Sequence, residues 1–260
     1  IAFGLGPLQV RWYGLMYLIG FGLAWFGLRA RAKRPNSPVS PTGVDDLIFY
    51  VALGVILGGR VGYMFFYNLS ALIENPLSLF RVWEGGMSFH GGLIGVAIAM
   101  VVYARQLHQP FFAVTDLIAP WVAPGLGLGR IGNFINGELW GAPTHPDALY
   151  AVWVNGVPRH ASQIYEACLE GLVLFLILWT YSRTAKPTMA VTGLFLFFYG
   201  FFRSMVEFVR LPDAHLNVAA DGYLAFGWLT MGQVLSIPMV ILGAFLFISA
   251  YRHQRQAKSV

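Results

Sequence analysis

Apolar residues fall in long runs separated by short polar turns, with runs near residues 8–28, 47–67, 89–103, 111–128, 164–181, 191–206 and 231–251. A bilayer core about 30 Å thick is crossed by about 20 apolar helical residues, so the pattern predicts an all-α integral membrane protein of about seven transmembrane helices. It further predicts a single transmembrane catalytic domain over residues 1–260. The third run is short and the fourth contains Pro120 and Pro124, so these two are expected to be broken, kinked or partly re-entrant. The first run is too long and too lacking in small-residue cleavage chemistry for a removed signal peptide, and it is read as a retained span. Between the fourth and fifth runs the polarity rises, and residues 142–160 are expected to form a small extramembrane cap. Within it Asn155-Gly156 is a tight-turn signal, with Ala151-Val152-Trp153-Val154 as a short strand beside it.

Composition agrees with the pattern. The chain is 57% hydrophobic and 11% charged, with mean hydropathy +0.62, whereas soluble domains carry about 25% charged residues. A formal charge of +5 would suit a nucleic-acid partner, but the basic residues sit mainly in the turns, which makes topology the better explanation. Alternate turns carry Arg29, Arg31, Lys33 and Arg34, then Arg105, then Arg183 and Lys186, then Arg252, Arg255 and Lys258. By the positive-inside rule these face the cytoplasm, which places the N-terminus in the periplasm and the C-terminus in the cytoplasm. Cys168 is the only cysteine, so no internal disulfide is possible, and its apolar surroundings suggest inert packing.

This topology leaves Arg81, Arg130, Arg159, Arg203 and Arg210 on the other side, where they work against the rule and need another role. Arg130 lies in Gly129-Arg130-Ile131-Gly132-Asn133-Phe134-Ile135-Asn136-Gly137-Glu138, a guanidinium, two amides and a carboxylate beside apolar spans. Ionisable groups at such depth usually face an interior cavity, substrate path or reaction centre. Arg203, Glu207 and Arg210 share one helix face by their spacing. They form either a self-neutralising ion pair or, with Arg130, an anion site, because guanidinium matches phosphate bidentately. His90, in Ser88-Phe89-His90-Gly91-Gly92-Leu93-Ile94-Gly95, is a titratable ring at a helix start that suits proton transfer, or a carbonyl-bonded histidine there. Helix packing accounts for the glycines around Arg60 but not for Arg60 itself. In Arg11-Trp12-Tyr13-Gly14 the aromatics read as interfacial belt residues. No His, Cys, Asp and Glu set has metal-ligand spacing; His215 and His253 stand alone in polar sequence.

Together the segments at 129–138, 90–95, 11–14 and Phe202-Arg203 with Glu207 closely resemble the bacterial prolipoprotein diacylglyceryl transferase family, and 80–89 and 231–238 match as well. The chain departs from the family pattern at His160-Ala161-Ser162-Gln163-Ile164-Tyr165-Glu166, where proline usually follows the histidine. The resemblance implies transfer of the diacylglyceryl group of phosphatidylglycerol to the thiol of the lipobox cysteine of a preprolipoprotein, the first step of lipoprotein maturation. A thioether forms and glycerol phosphate leaves, without a cofactor or a nucleic-acid partner. It implies a multi-pass protein of the bacterial inner membrane with its site toward the periplasm. Catalytic roles fall on His90, Arg130 and Arg203, and substrate binding on Tyr13, Arg60, Asn133, Asn136, Glu138, Gly141, His160, Tyr199, Glu207 and Arg210. Asn133 and Glu138 are expected to position Arg130, and Glu207 to position Arg203. His90 is the candidate base for the thiol; alternatively it orients the headgroup while the arginines alone favour the thiolate. Two rival classes are a carrier for an anionic solute and a noncatalytic lipid-binding scaffold, though no two-half repeat of the carrier kind is visible.

Overall fold

The computed structural model describes residues 3–5, 8–10, 12–211 and 229–258. His215 therefore lies outside the described residues. After a two-stranded hairpin, β1 (Phe3–Leu5) and β2 (Leu8–Val10), the chain forms α1 (Trp12–Ala32), α2 (Gly43–Tyr67), α3 (Leu69–Glu74), α4 (Phe89–Gln106) and α5 (Phe111–Asn136). A second antiparallel hairpin, β3 (Ala151–Val154) and β4 (Val157–His160), follows. Next come α6 (Ser162–Glu166), a π-helical segment (Ala167–Val173) and α7 (Leu174–Tyr181) end to end, then α8 (Ala190–Glu207) and α9 (Met231–Lys258). Among the described residues six helical runs are long and apolar enough to cross a membrane: α2, α4, α5, the run Ser162–Tyr181, α8 and α9. Their outward faces carry large apolar side chains such as Phe49, Phe66, Leu93, Ile241 and Phe245, all exposed, as contact with lipid requires.

Two expectations change here. The first apolar run does not begin as helix, because Leu8–Val10 pairs as a strand with Phe3–Leu5, and α1 starts at Trp12. Moreover α1, with its glycines, aromatics and basic end, is not among the six membrane-crossing candidates. The run with Pro120 and Pro124 is not broken: α5 is continuous for 26 residues, and α4 is likewise a single helix. The prolines stand four apart, so the missing N–H groups fall on one stripe and the other rows of hydrogen bonds persist.

The fold divides into two compact units, Trp25–Leu117 and the remainder, Ile1–Ala24 with Ile118–Val260. In the first, α2 and α4 approach to backbone contact. Gly54, Gly58 and Gly62 face Gly91 and Gly95, and a methyl group on Gly58 would run into the Gly91 carbonyl. Small residues at every fourth position allow this closeness. One consequence is positional, since His90 immediately precedes a glycine locked against α2. In the second unit, Ala119, Ala123, Leu174, Leu178, Val191 and Phe202 form a buried cluster joining α5, α7 and α8. In the same unit α8 and α9 also pack closely on each other, with Gly193 set against the Gly243 carbonyl.

Candidate active site

Glu166 is the centre of a buried ion cluster in the second unit. It ends α6 and is wholly buried, 0% exposed. Three guanidiniums reach it: Arg130 Nε lies 3.0 Å from Oε2, Arg210 Nη1 lies 2.5 Å from Oε1, and Arg203 Nη1 donates to the same oxygen. Glu207 is the second acid, with Oε2 2.9 Å from Arg203 Nη2 and 3.5 Å from Arg210 Nε. Thr230, just before α9, donates from Oγ1 to Glu207 Oε1 at 3.0 Å, and its own N–H donates to Gln233 Oε1. Three cations therefore face two paired anions, so the ion pairs alone leave a net charge of +1.

The arginines are not equivalent. Arg203 has both outer nitrogens occupied by carboxylates. Among the described residues Arg130 has Glu166 as its one polar partner, through Nε, and its side chain keeps 23% exposure. Among the described residues its two Nη groups have no partner, which leaves a fork of the kind that grips two oxygens of a phosphate.

The end of α5 explains how the 129–138 segment is shaped. Gly137 takes φ +73°, its N–H donates to Phe134 O, and Glu138 N–H donates to Asn133 O at 2.9 Å. Such paired bonds close a helix at a glycine. The reversal returns Glu138 to Asn133, whose Nδ2 donates to Glu138 Oε2 at 3.3 Å. Asn133 and Glu138 thus pair with each other, and the expectation that they position Arg130 is replaced by Glu166: the reversal turns Glu138 toward the amide one turn beyond the guanidinium. Asn136, the last residue of α5, is exposed. Gln163 Nε2 donates to the Glu138 carbonyl and Ser162 Oγ to Leu139 O, so α6 grips the same turn.

Gly141 and His160 are held by the second hairpin. Gly141 N–H donates to His160 O at 2.9 Å, and Ala142 N–H donates to Val209 O, beside Arg210. A Cβ on Gly141 would lie 2.5 Å from Val209 O, so the strand-like pairing of Gly141 with Arg210 requires glycine. His160 stacks on Tyr150, ring centroids 5.2 Å apart, with Nδ1 3.3 Å from the Tyr165 hydroxyl. Asn155 and Gly156 both have positive φ, and the hairpin turn expected there is formed. Tyr13 packs on Gly132, its hydroxyl 3.4 Å from that of Tyr17. Tyr199 stands one turn before Arg203 and stacks on Phe195.

The remaining two candidates belong to the other unit. His90 is exposed in the first turn of α4, its ring edge-on to Phe89, and Ser88 caps that helix by accepting from Gly91 N–H at 3.2 Å. Arg60 is 4% exposed and donates to backbone carbonyls: Nε to Leu79 O at 3.1 Å, Nη2 to Ser78 O at 2.6 Å, and Nη1 to Gly85 O and Gly86 O. Its guanidinium thus ties down the segment that leads into His90. Cys168, expected to pack inertly, is instead exposed on the π-helical segment, because the side opposite Glu166 and Glu170 faces outward.

Glu166 was missed by motif reading, since it lies in the segment where the chain departs from the pattern. The available signal was an acid inside a long apolar run. Comparison with known proteins bears on the whole chain. The family model described as prolipoprotein diacylglyceryl transferase matches residues 1–249. A Phosphatidylglycerol--prolipoprotein diacylglyceryl transferase of Methylococcus capsulatus is 56% identical, covering 96% of this chain and 95% of its own length. One from Oleidesulfovibrio alaskensis is 53% identical (99% and 95%), and one from Coxiella burnetii 52% (98% and 97%).

Proposed function

The chain belongs to the prolipoprotein diacylglyceryl transferase family, and on that footing we propose that its arginine cluster binds the phosphate of phosphatidylglycerol while the lipobox thiol attacks the lipid. It is a multi-pass protein of the bacterial inner membrane, and its reaction moves a diacylglyceryl group from phosphatidylglycerol to the cysteine of a preprolipoprotein. The thiolate sulfur forms a bond to the glycerol carbon, the carbon–oxygen bond to phosphate breaks, and the phosphodiester leaves as glycerol phosphate with an added negative charge. Charge grows on phosphate, so donors already fixed around it lower the barrier. The open Nη fork of Arg130 is the observation that carries this assignment. Arg203 and Arg210, held by Glu166 and Glu207, supply the surrounding positive field.

His90 takes the thiol proton, since a free thiol with an ordinary pKa of about 8.5 is only a few per cent ionised at neutral pH. Tyr13, Asn133, Asn136, Glu138, Gly141, His160, Tyr199 and Glu207 shape the substrate sites, and Arg60 serves by fixing the segment before His90. The N-terminus and the 142–160 hairpin face the periplasm, where the hairpin caps the site and guides the signal peptide; the C-terminus is cytoplasmic. The basic residues of alternate turns support this orientation.

Purified protein, labelled phosphatidylglycerol and a lipobox peptide test the reading through the mass gained at the peptide thiol. Transfer to that thiol is expected. Movement of lipid phosphate across vesicles without transfer, or binding alone, overturns it in favour of a carrier or a scaffold.

A further inference from the structure

A third acid lies beside the cluster, and nothing in the proposed chemistry uses it. Glu170 stands four residues after Glu166, inside the π-helical segment, and is 0% exposed. Among the described residues neither of its carboxyl oxygens has a hydrogen-bond partner, and it joins none of the ion pairs. The groups that face it electrostatically are Glu166 of α6, Arg130 of α5, Arg203 and Tyr199 of α8, and Arg210 just beyond α8. From α5 the nearest approach to this segment is apolar backbone, Gly127 against Gly171.

Which form Glu170 takes decides the charge of the whole site. A buried ionised carboxylate with no donor among the described residues is strongly unfavourable, and the Glu166 carboxylate one turn away repels it. The arginines favour ionisation, yet their nearest contacts already go to Glu166 and Glu207. With Glu170 neutral, three guanidiniums against two carboxylates leave +1, which attracts a phosphodiester monoanion. With Glu170 ionised the sum is zero and that attraction is lost. We propose that Glu170 is a positioning residue carried as the neutral acid, which keeps the arginine cluster net positive and so open to an anionic lipid headgroup.

The inference rests on the phosphate-binding reading above. Its sign is fixed: as pH rises Glu170 loses its proton, the cluster loses its positive charge, and phosphatidylglycerol affinity falls, while the lipid phosphodiester stays monoanionic throughout. One unit charge about 10 Å away at an effective dielectric of about 20 changes affinity roughly ten- to thirtyfold.

The experiment measures phosphatidylglycerol binding by wild type and Glu170→Gln in nanodiscs from about pH 6 to about pH 10, with transfer to a lipobox peptide split into kcat and KM. Wild-type affinity should fall on the alkaline side, and Glu170→Gln should hold its affinity there, with the difference appearing in the lipid KM. An infrared carbonyl band of a protonated carboxylic acid, present in wild type at neutral pH and titrating with the loss of affinity, is expected independently of how the variant folds. The same alkaline fall in folded Glu170→Gln, or the absence of that band, overturns the inference. Wild type that binds the lipid without regard to its phosphate overturns the underlying reading instead.

Discussion

Each side chain at the centre has a separable job. Arg130→Lys keeps the charge but not the planar fork, and it should lower transfer by a factor of a hundred or more, about 3–4 kcal/mol for a preorganised donor; near-normal turnover would remove the fork contact. His90→Gln and His90→Ala should both lose most turnover while phosphatidylglycerol binding persists, and a near-normal pH profile in His90→Gln would reassign the base. Removing Glu166 acts differently, because it leaves three guanidiniums facing one another. Glu166→Ala should cost about 3–5 kcal/mol of stability, as breakage of a buried pair does, read as a lowered thermal midpoint in detergent. The arginines were legible in the sequence because their positions oppose the expected topology. Glu166 was not, since a lone acid in an apolar run does not announce which distant cations will meet on it. Arg203 and Glu207 pair as their spacing predicts, whereas the partner of Arg130 comes not from its own segment but from the next membrane helix.

Helix ends and helix contacts set the next level. The reversal at Gly137 needs a positive φ, so Gly137→Ala should cost about 1–2 kcal/mol and separate Glu138 from Asn133. Loss of stability with unchanged lipid affinity would show that the turn supports the fold alone. At the other unit, Gly58→Leu forces α2 from α4, and because His90 adjoins Gly91 the variant should lose transfer more than it loses helix content by circular dichroism. Apolar runs gave most helix positions, and Asn155-Gly156 gave the hairpin, since both signals are local. The hairpin at the N-terminus was hidden because its strands read as the start of an apolar span, and Pro120 with Pro124 read as breakers although their spacing limits the damage to one stripe.

At the scale of the molecule, the prediction concerns sidedness. In a Cys168→Ser background, a cysteine placed at Gly156 should be labelled from the periplasm and one at His253 from the cytoplasm, and the reverse would invert the orientation proposed from charge. Because the substrate brings the reacting thiol, Cys168→Ser itself should leave transfer near its starting rate. Neither the division into two compact units nor their membership could be read from hydropathy, since it reports which segments avoid water and not which of them adhere.

Arg60 holds the chain at Ser78, Leu79, Gly85 and Gly86 entirely through main-chain oxygens. Such a grip is blind to side-chain identity. The outward-facing side chains between those points, Val82 and Trp83 among them, take no part in it, and the path of the loop stays where the guanidinium has pinned it.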